Sequence, residues 1–257
     1  MSKYLKYAIT IVLTALAVTS FILFEIIHLQ IIPDDVEAST MLGRAIYYLA
    51  IAVLFLWLPY LLGGSPYLSF KELHWRNVVW CAPCLLVALA NFPFSALFTG
   101  GLSIVREELI ALYILYVLGI SIVEEMVFRG VLLFLLLDIF RNQRLKYFLS
   151  ALISSLIFAL FHLTNVFAGM DIGSVLLQVV YTFLIGGMFS VMALKTKSIW
   201  MGVFIHALFD FGGLLTTTIA IGDPWDLVFW VLTIACGILC AGHIIVSLIN
   251  LERKHVS

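Results

Sequence analysis

Long apolar runs separated by short polar segments dominate this chain. Eight such runs cover 7–29, 44–63, 77–98, 109–138, 147–168, 173–194, 199–221 and 225–250. A helix needs about 20 mostly apolar residues to cross a bilayer. The pattern therefore predicts an all-α polytopic bundle of about eight transmembrane helices, a single integral membrane domain over 1–257. The third run holds Pro83 and Pro93 and is expected to kink. The fourth would be ~45 Å long as a straight helix. It must tilt, break near Gly119 or Gly130, or run on past the hydrocarbon.

The polar segments set the direction. One set of termini and loops holds Lys3, Lys6, Lys71, Arg76, Arg141, Arg144, Lys146, Lys195, Lys197, Arg253 and Lys254, which is 11 of the 14 basic residues. The opposite set holds Arg44 and Arg106 with Asp34, Asp35, Glu37, Glu107, Glu108, Asp171, Asp223 and Asp226. The positive-inside rule then puts both termini in the cytoplasm, and an unbroken alternation over eight runs supports their count. The loops are short, so no soluble domain is expected. The segment 64–76, with Phe70, Leu73, Trp75 and Arg76, fits a short interfacial helix.

Composition agrees. The chain is 63% hydrophobic and 11% charged, against about 45–50% and about 25% in soluble domains. A net charge of −1 says nothing about partners, because the charges are segregated by side. A multi-pass protein of the cell membrane is expected, in contact with lipid and with no nucleic-acid partner. The first run follows Lys3 and Lys6 as a signal peptide would, but it exceeds an h-region of about 7–15 residues. No small-residue cleavage site follows it, so it is expected to stay as the first helix. Cys81, Cys84, Cys236 and Cys240 lie inside apolar runs. The Cys81-x-x-Cys84 spacing is read as packing, since no βαβ pattern surrounds it.

Ionisable residues inside these runs carry the chemistry. An acid in hydrocarbon costs roughly 2.5–3.5 kcal/mol on insertion scales, so its presence points to function, transport or a structural ion pair. Between Leu109 and Leu137 the charged residues are Glu124, Glu125 and Arg129. Counted along each helix from its basic end, Glu124 sits ~21 Å deep, His162 ~22 Å, His206 ~10 Å and Asp210 ~16 Å. Four ionisable residues from three runs thus converge in depth.

Spacing refines their roles. Glu125 and Arg129 are four apart and share a helix face, so the pair can neutralise itself. Glu124 points about 100° away from Glu125 and remains poised. Phe158 and His162 are four apart, as are His206 and Asp210, where the carboxylate can orient the imidazole or bind substrate. Asn165, three after His162, is placed to line the same cavity. Plainer readings stand beside these. Glu125–Arg129 alone is equally explained as a pair that fixes helix geometry. His28 and His243 are read as packing residues, and Glu25 and His28 can snorkel to the interface. Asn91 is read as an interhelical hydrogen-bonding residue.

The set Glu124-Glu125-x-x-x-Arg129, Phe158-x-x-x-His162 and His206-x-x-x-Asp210, in that order on buried helices, resembles the CPBP family. These are the CAAX-protease and bacteriocin-processing, or Abi, intramembrane endopeptidases, which include CAAX prenyl protease 2. The resemblance covers roughly 109–215 as a catalytic core, with 1–108 and 222–257 as flanking helices. It departs at Asp210, where CAAX prenyl protease 2 has asparagine, which weakens an oxyanion-donor role there. The resemblance implies hydrolysis of a peptide bond in a membrane-associated peptide or protein. Glu124 would activate water, His162 would help hold it, and His206, with Asp210, would face the oxyanion. Glu125, Arg129, Phe158 and Asn165 would support the site.

Cofactor-free glutamate chemistry is expected. The alternative is zinc on Glu124, His162 and His206, a two-histidine, one-carboxylate set, although no H-E-x-x-H motif occurs. The competing function is a non-catalytic membrane scaffold, in bacteriocin immunity or regulation. A proton-coupled transporter would use the same cluster, but no internal repeat supports one.

Overall fold

The computed structural model describes residues 3–26, 30–61, 66–70 and 74–256. Nearly all of it is helical. The first elements are α1 (Lys3–Ile26), α2 (Val36–Leu61), α3 (Trp75–Trp80), α4 (Ala82–Ala90) and α5 (Phe94–Thr99). The central element follows as α6 (Ile110–Glu125), a π-helical stretch (Met126–Leu132) and α7 (Leu133–Ile139). The last are α8 (Lys146–Phe161), α9 (Ile172–Thr196), α10 (Trp200–Gly213) and α11 (Leu227–Val256). Five stretches among the described residues are long and apolar enough to cross a membrane: Val36–Phe55, Ala82–Thr99, Lys146–Val166, Ile172–Thr196 and Leu227–His255. His28, the end of the first expected run at 27–29, and Lys71 and Leu73 of the 64–76 segment lie outside the described residues.

Three departures from straight helices have local causes. The run 77–98 is broken twice: Pro83 enters the first turn of α4 after Cys81, and Pro93 precedes α5. A proline has no amide to donate and clashes with the preceding turn, so the expected kinks become breaks. The run 109–138 does not stop at either glycine; it widens into the π stretch that contains Gly130. The run 199–221 is helical only to Gly213. There α10 meets the chain between α4 and α5 at close range, since a Cβ on Gly212 would lie 2.7 Å from the Asn91 carbonyl oxygen. Asn91 donates its side-chain amide to the Phe209 carbonyl at 2.8 Å, so it does join helices as expected. Beyond it, β2 (Ala220–Gly222) pairs antiparallel with β1 (Leu102–Ile104), a two-stranded addition to an otherwise helical fold.

The main core forms around α6 and the π stretch. Tyr113, Val123, Met126, Val127, Phe128 and Leu133 are almost wholly buried there. A second cluster holds Cys81, Cys84, Phe189, Met192, Ile205 and Cys240. The cysteines are free thiols, three of them buried, in keeping with their packing role. The Tyr7 hydroxyl bonds the Asp138 carboxylate, joining α1 to α7.

Just ahead of α6, Arg106 binds Asp35 at 2.6 Å, Glu37 at 2.7 Å and Glu108 at 2.5 Å. This fastens the start of α2 to the start of α6. Asp35 also accepts the Ala38 amide at 3.0 Å. That amide first, and Arg106 second, hold the Asp35 carboxyl below its ordinary range. The Arg106 guanidinium does the same for Glu108.

Candidate active site

Two neighbouring glutamates leave α6 in different directions. Glu125 is 1% exposed and Arg129 is fully buried. Arg129 Nη1 donates to Glu125 Oε1 at 2.9 Å, and Nη2 donates to the Gly186 carbonyl of α9 at 3.3 Å. The guanidinium also lies 4.2 Å from the Phe158 ring centroid, a cation–π contact that favours a desolvated charge. Removing one partner of a buried pair leaves the other uncompensated, so these contacts lock Glu125 in place.

From α10, His206 brings Nδ1 to 3.1 Å from the same Glu125 oxygen. A carboxylate accepts, so the ring places its Nδ1 proton there. Nε2 then faces the opposite way, 3.6 Å from Glu124 Oε2 and 3.4 Å from Asp210 Oδ2. Phe189 of α9 stacks on the imidazole, with centroids 4.8 Å apart. The Glu124 and Asp210 side chains keep 14% and 18% exposure. One glutamate is therefore sealed and paired, and the other borders accessible space. Gly202, His206 and Asp210 form a single stripe on α10, each four residues from the next.

His162 begins a 3₁₀ turn (His162–Val166) that ends α8. Its Nδ1 lies 2.9 Å from the Phe158 carbonyl. A carbonyl only accepts, so Nδ1 carries the proton and Nε2 is the accepting nitrogen. Phe158 stands edge-on between the two histidines, 4.8 Å from His162 and 6.1 Å from His206. It is the wall they share. Asn165 donates its amide to Gln178 of α9 at 2.7 Å, which ties down the turn that carries His162.

The zinc alternative can be tested on geometry. Among the described residues no group of three or more His, Cys, Asp or Glu is arranged to hold a metal ion. Each histidine donates its Nδ1 proton, one to Glu125 and one to a backbone carbonyl, which leaves Nε2 as the nitrogen that faces the site. The steps proposed below use these side chains and water.

Residues 106–212 match the family model described as Type II CAAX prenyl endopeptidase Rce1-like. Over these residues the chain is similar to that family. This is the family to which the three motifs pointed. The Rce1-like segment runs from Arg106 to Gly212, so it contains α6 to α10 in essence and every residue of the cluster above. No curated protein and no solved structure matches the chain.

Four contributors to the site carry no motif. Gly202 lies under the Glu125 carboxylate: a Cβ there would sit 3.0 Å from Oε2. Its position four before His206 was the available signal. Phe189 and the Gly186 carbonyl come from α9, a helix with no charged residue before Lys195, and nothing in its pattern marks them. Tyr113 donates to the Phe211 carbonyl at 2.7 Å and steadies the end of α10 beside Asp210.

Proposed function

We propose that the chain is an intramembrane endopeptidase of the cell membrane that cleaves a peptide bond in a membrane-associated peptide or protein. The observation that carries this is the His206 ring, held on one side by buried Glu125 and facing accessible Glu124 and Asp210 on the other. In this reading eight helices cross the bilayer and both termini are cytoplasmic, as the segregation of basic residues supports.

Glu124 takes a proton from a water molecule, and the resulting hydroxide attacks the scissile carbonyl carbon. His162 Nε2 accepts a hydrogen bond from that water and aims it. The carbonyl oxygen becomes an oxyanion. His206 meets it through a proton at Nε2, with Asp210 and Glu124 supporting the charge on the ring. An oriented donor of this kind contributes roughly 2.7–4 kcal/mol in known cases. The C–N bond breaks as Glu124 returns the proton to the leaving amine, and the new carboxylic acid passes its own proton to that amine, giving a carboxylate and an ammonium ion. Asp210 accepts from His206, so it acts as an orienting group. Arg129 fixes Glu125, and Glu125 fixes His206.

The substrate class follows the family description: a peptide whose C-terminal region carries a prenylated cysteine. The test compares purified wild type with Glu124→Gln on membrane-tethered peptides, prenylated and unprenylated, with products read by mass spectrometry and with a zinc chelator in parallel. Cleavage by wild type, lost in the variant and insensitive to chelator, is the expected result. A folded wild type that cleaves neither peptide, with its cellular effect intact in Glu124→Gln, would establish a scaffold instead.

A further inference from the structure

At the end of α9, away from the glutamate cluster, lies a cavity of about 500 Å³ lined by His74, Trp75, Arg76, Asn77, Lys195, Thr196 and Lys197. Three permanent cations border it, and no carboxylate lines it among the described residues. Arg76, Lys195 and Lys197 are exposed, so their charges face outward from the cavity walls. We propose that this cavity binds the phosphate headgroup of an anionic phospholipid.

Depth argues for a lipid. α9 has 25 residues and is ~37 Å long at the usual rise, longer than a hydrocarbon core of about 30 Å. Lys195 in its last turn and Lys197 just beyond therefore emerge at headgroup level. Lys197 ends the helix in the left-handed conformation (φ 52°), which turns the chain sharply and sets both lysines at the cavity edge.

The aromatic residues agree. Trp75 is 70% exposed, and the Arg76 guanidinium lies 5.8 Å from its ring centroid. Phe70 and Trp200 stack at 4.4 Å, and Trp200 donates to the Leu68 carbonyl at 3.0 Å. Tryptophans gathered at one end of a membrane bundle mark the interfacial belt.

Acyl chains have a place to lie. Val78 and Val79, two and three residues after Arg76 on the same short helix, are 48% and 60% exposed. They offer an apolar surface continuous with the cationic cavity. A free phosphate ion would use the cations and leave this surface bare; a phospholipid uses both. The site rests only on the membrane reading and stands or falls apart from the peptidase.

The test uses delipidated full-length protein reconstituted in nanodiscs of phosphatidylcholine, with and without phosphatidylglycerol, and native mass spectrometry of lipids that stay bound. Inorganic phosphate is the third arm. Wild type should retain phosphatidylglycerol in preference to phosphatidylcholine. Each basic residue near a charged surface is worth about fivefold, so Arg76→Gln, Lys195→Gln and Lys197→Asn together should weaken retention about 100-fold. Asparagine tolerates the left-handed conformation that Lys197 adopts, and an unchanged melting temperature will show that the variant folds. An Arg141→Gln, Arg144→Gln control, which removes charges outside the cavity, should retain the lipid as wild type does. Equal retention of the two lipids by wild type, equal loss in the control, or displacement of the lipid by millimolar phosphate would overturn the proposal.

Discussion

Glu125 holds His206 through one oxygen: Oε1 lies 3.1 Å from Nδ1, and that same oxygen takes the Arg129 hydrogen bond at 2.9 Å. α6 and α10 are therefore joined by a charge buried from solvent. Glu125→Gln should keep the shape and lose the strong acceptor. Turnover is expected to fall by roughly 100-fold or more, as when other histidine-orienting carboxylates are neutralised. Peptide binding should change little, and steady-state kinetics will separate the two.

Arg129→Leu should be worse for folding than for anything else. It strands Glu125 in a buried site, at a cost of about 3–5 kcal/mol. The double variant Glu125→Gln, Arg129→Leu should recover part of the loss, because it removes the orphaned charge. Thermal melts in detergent will show the order: wild type, then the double variant, then Arg129→Leu.

Gly202→Ala tests the floor beneath the carboxylate. The added methyl would press on Glu125 Oε2 at 3.0 Å, tighter than van der Waals packing permits. Glu125 has little room to yield while Arg129 and His206 hold Oε1. A lower melting temperature and a loss of turnover of tenfold or more are expected, since small misplacements of catalytic groups cost rate steeply.

The acid limb of stability should involve the Arg106 cluster. Asp35 and Glu108 have carboxyl groups held below their ordinary range. A depressed folded value stabilises above the unfolded value, about 3.9 for Asp and 4.3 for Glu. That stability is lost as pH falls through the folded value. Between about pH 5 and 3, wild type should therefore weaken progressively. Arg106→Gln should flatten this dependence, mainly through Glu108, because Asp35 keeps its Ala38 hydrogen bond. Melting temperature against pH for both proteins is the measurement.

Much of the site was legible because intramembrane charge is rare. Glu124, Glu125, Arg129, His206 and Asp210 each stood out against apolar surroundings, and four-residue spacing correctly paired Glu125 with Arg129 and His206 with Asp210. What spacing could not supply was contact between helices. It gave no sign that Glu125, rather than Glu124, takes His206 Nδ1, or that Phe189 would stack on that ring. Nor did it show that the Asn165 amide would reach Gln178 on α9. The helical fold was legible from apolar runs, whereas the β1–β2 ladder was not. It forms between two short segments more than a hundred residues apart, and local pattern carries no trace of such a pairing.

The π stretch Met126–Leu132 gives the central helix one more residue than its turns would otherwise hold. Everything after it is rotated by about 100° relative to an unbroken α-helix. The stretch thus sets the phase between the two ends of the span, so that Glu125 can face His206 while α7 presents Leu133, Leu136 and Leu137 to the core. Its length matters as well as its composition, in which Arg129 and the buried Met126, Val127 and Phe128 are already fixed by their contacts. Deleting one residue there would leave an apolar helix of much the same character whose second half was turned to the wrong neighbours.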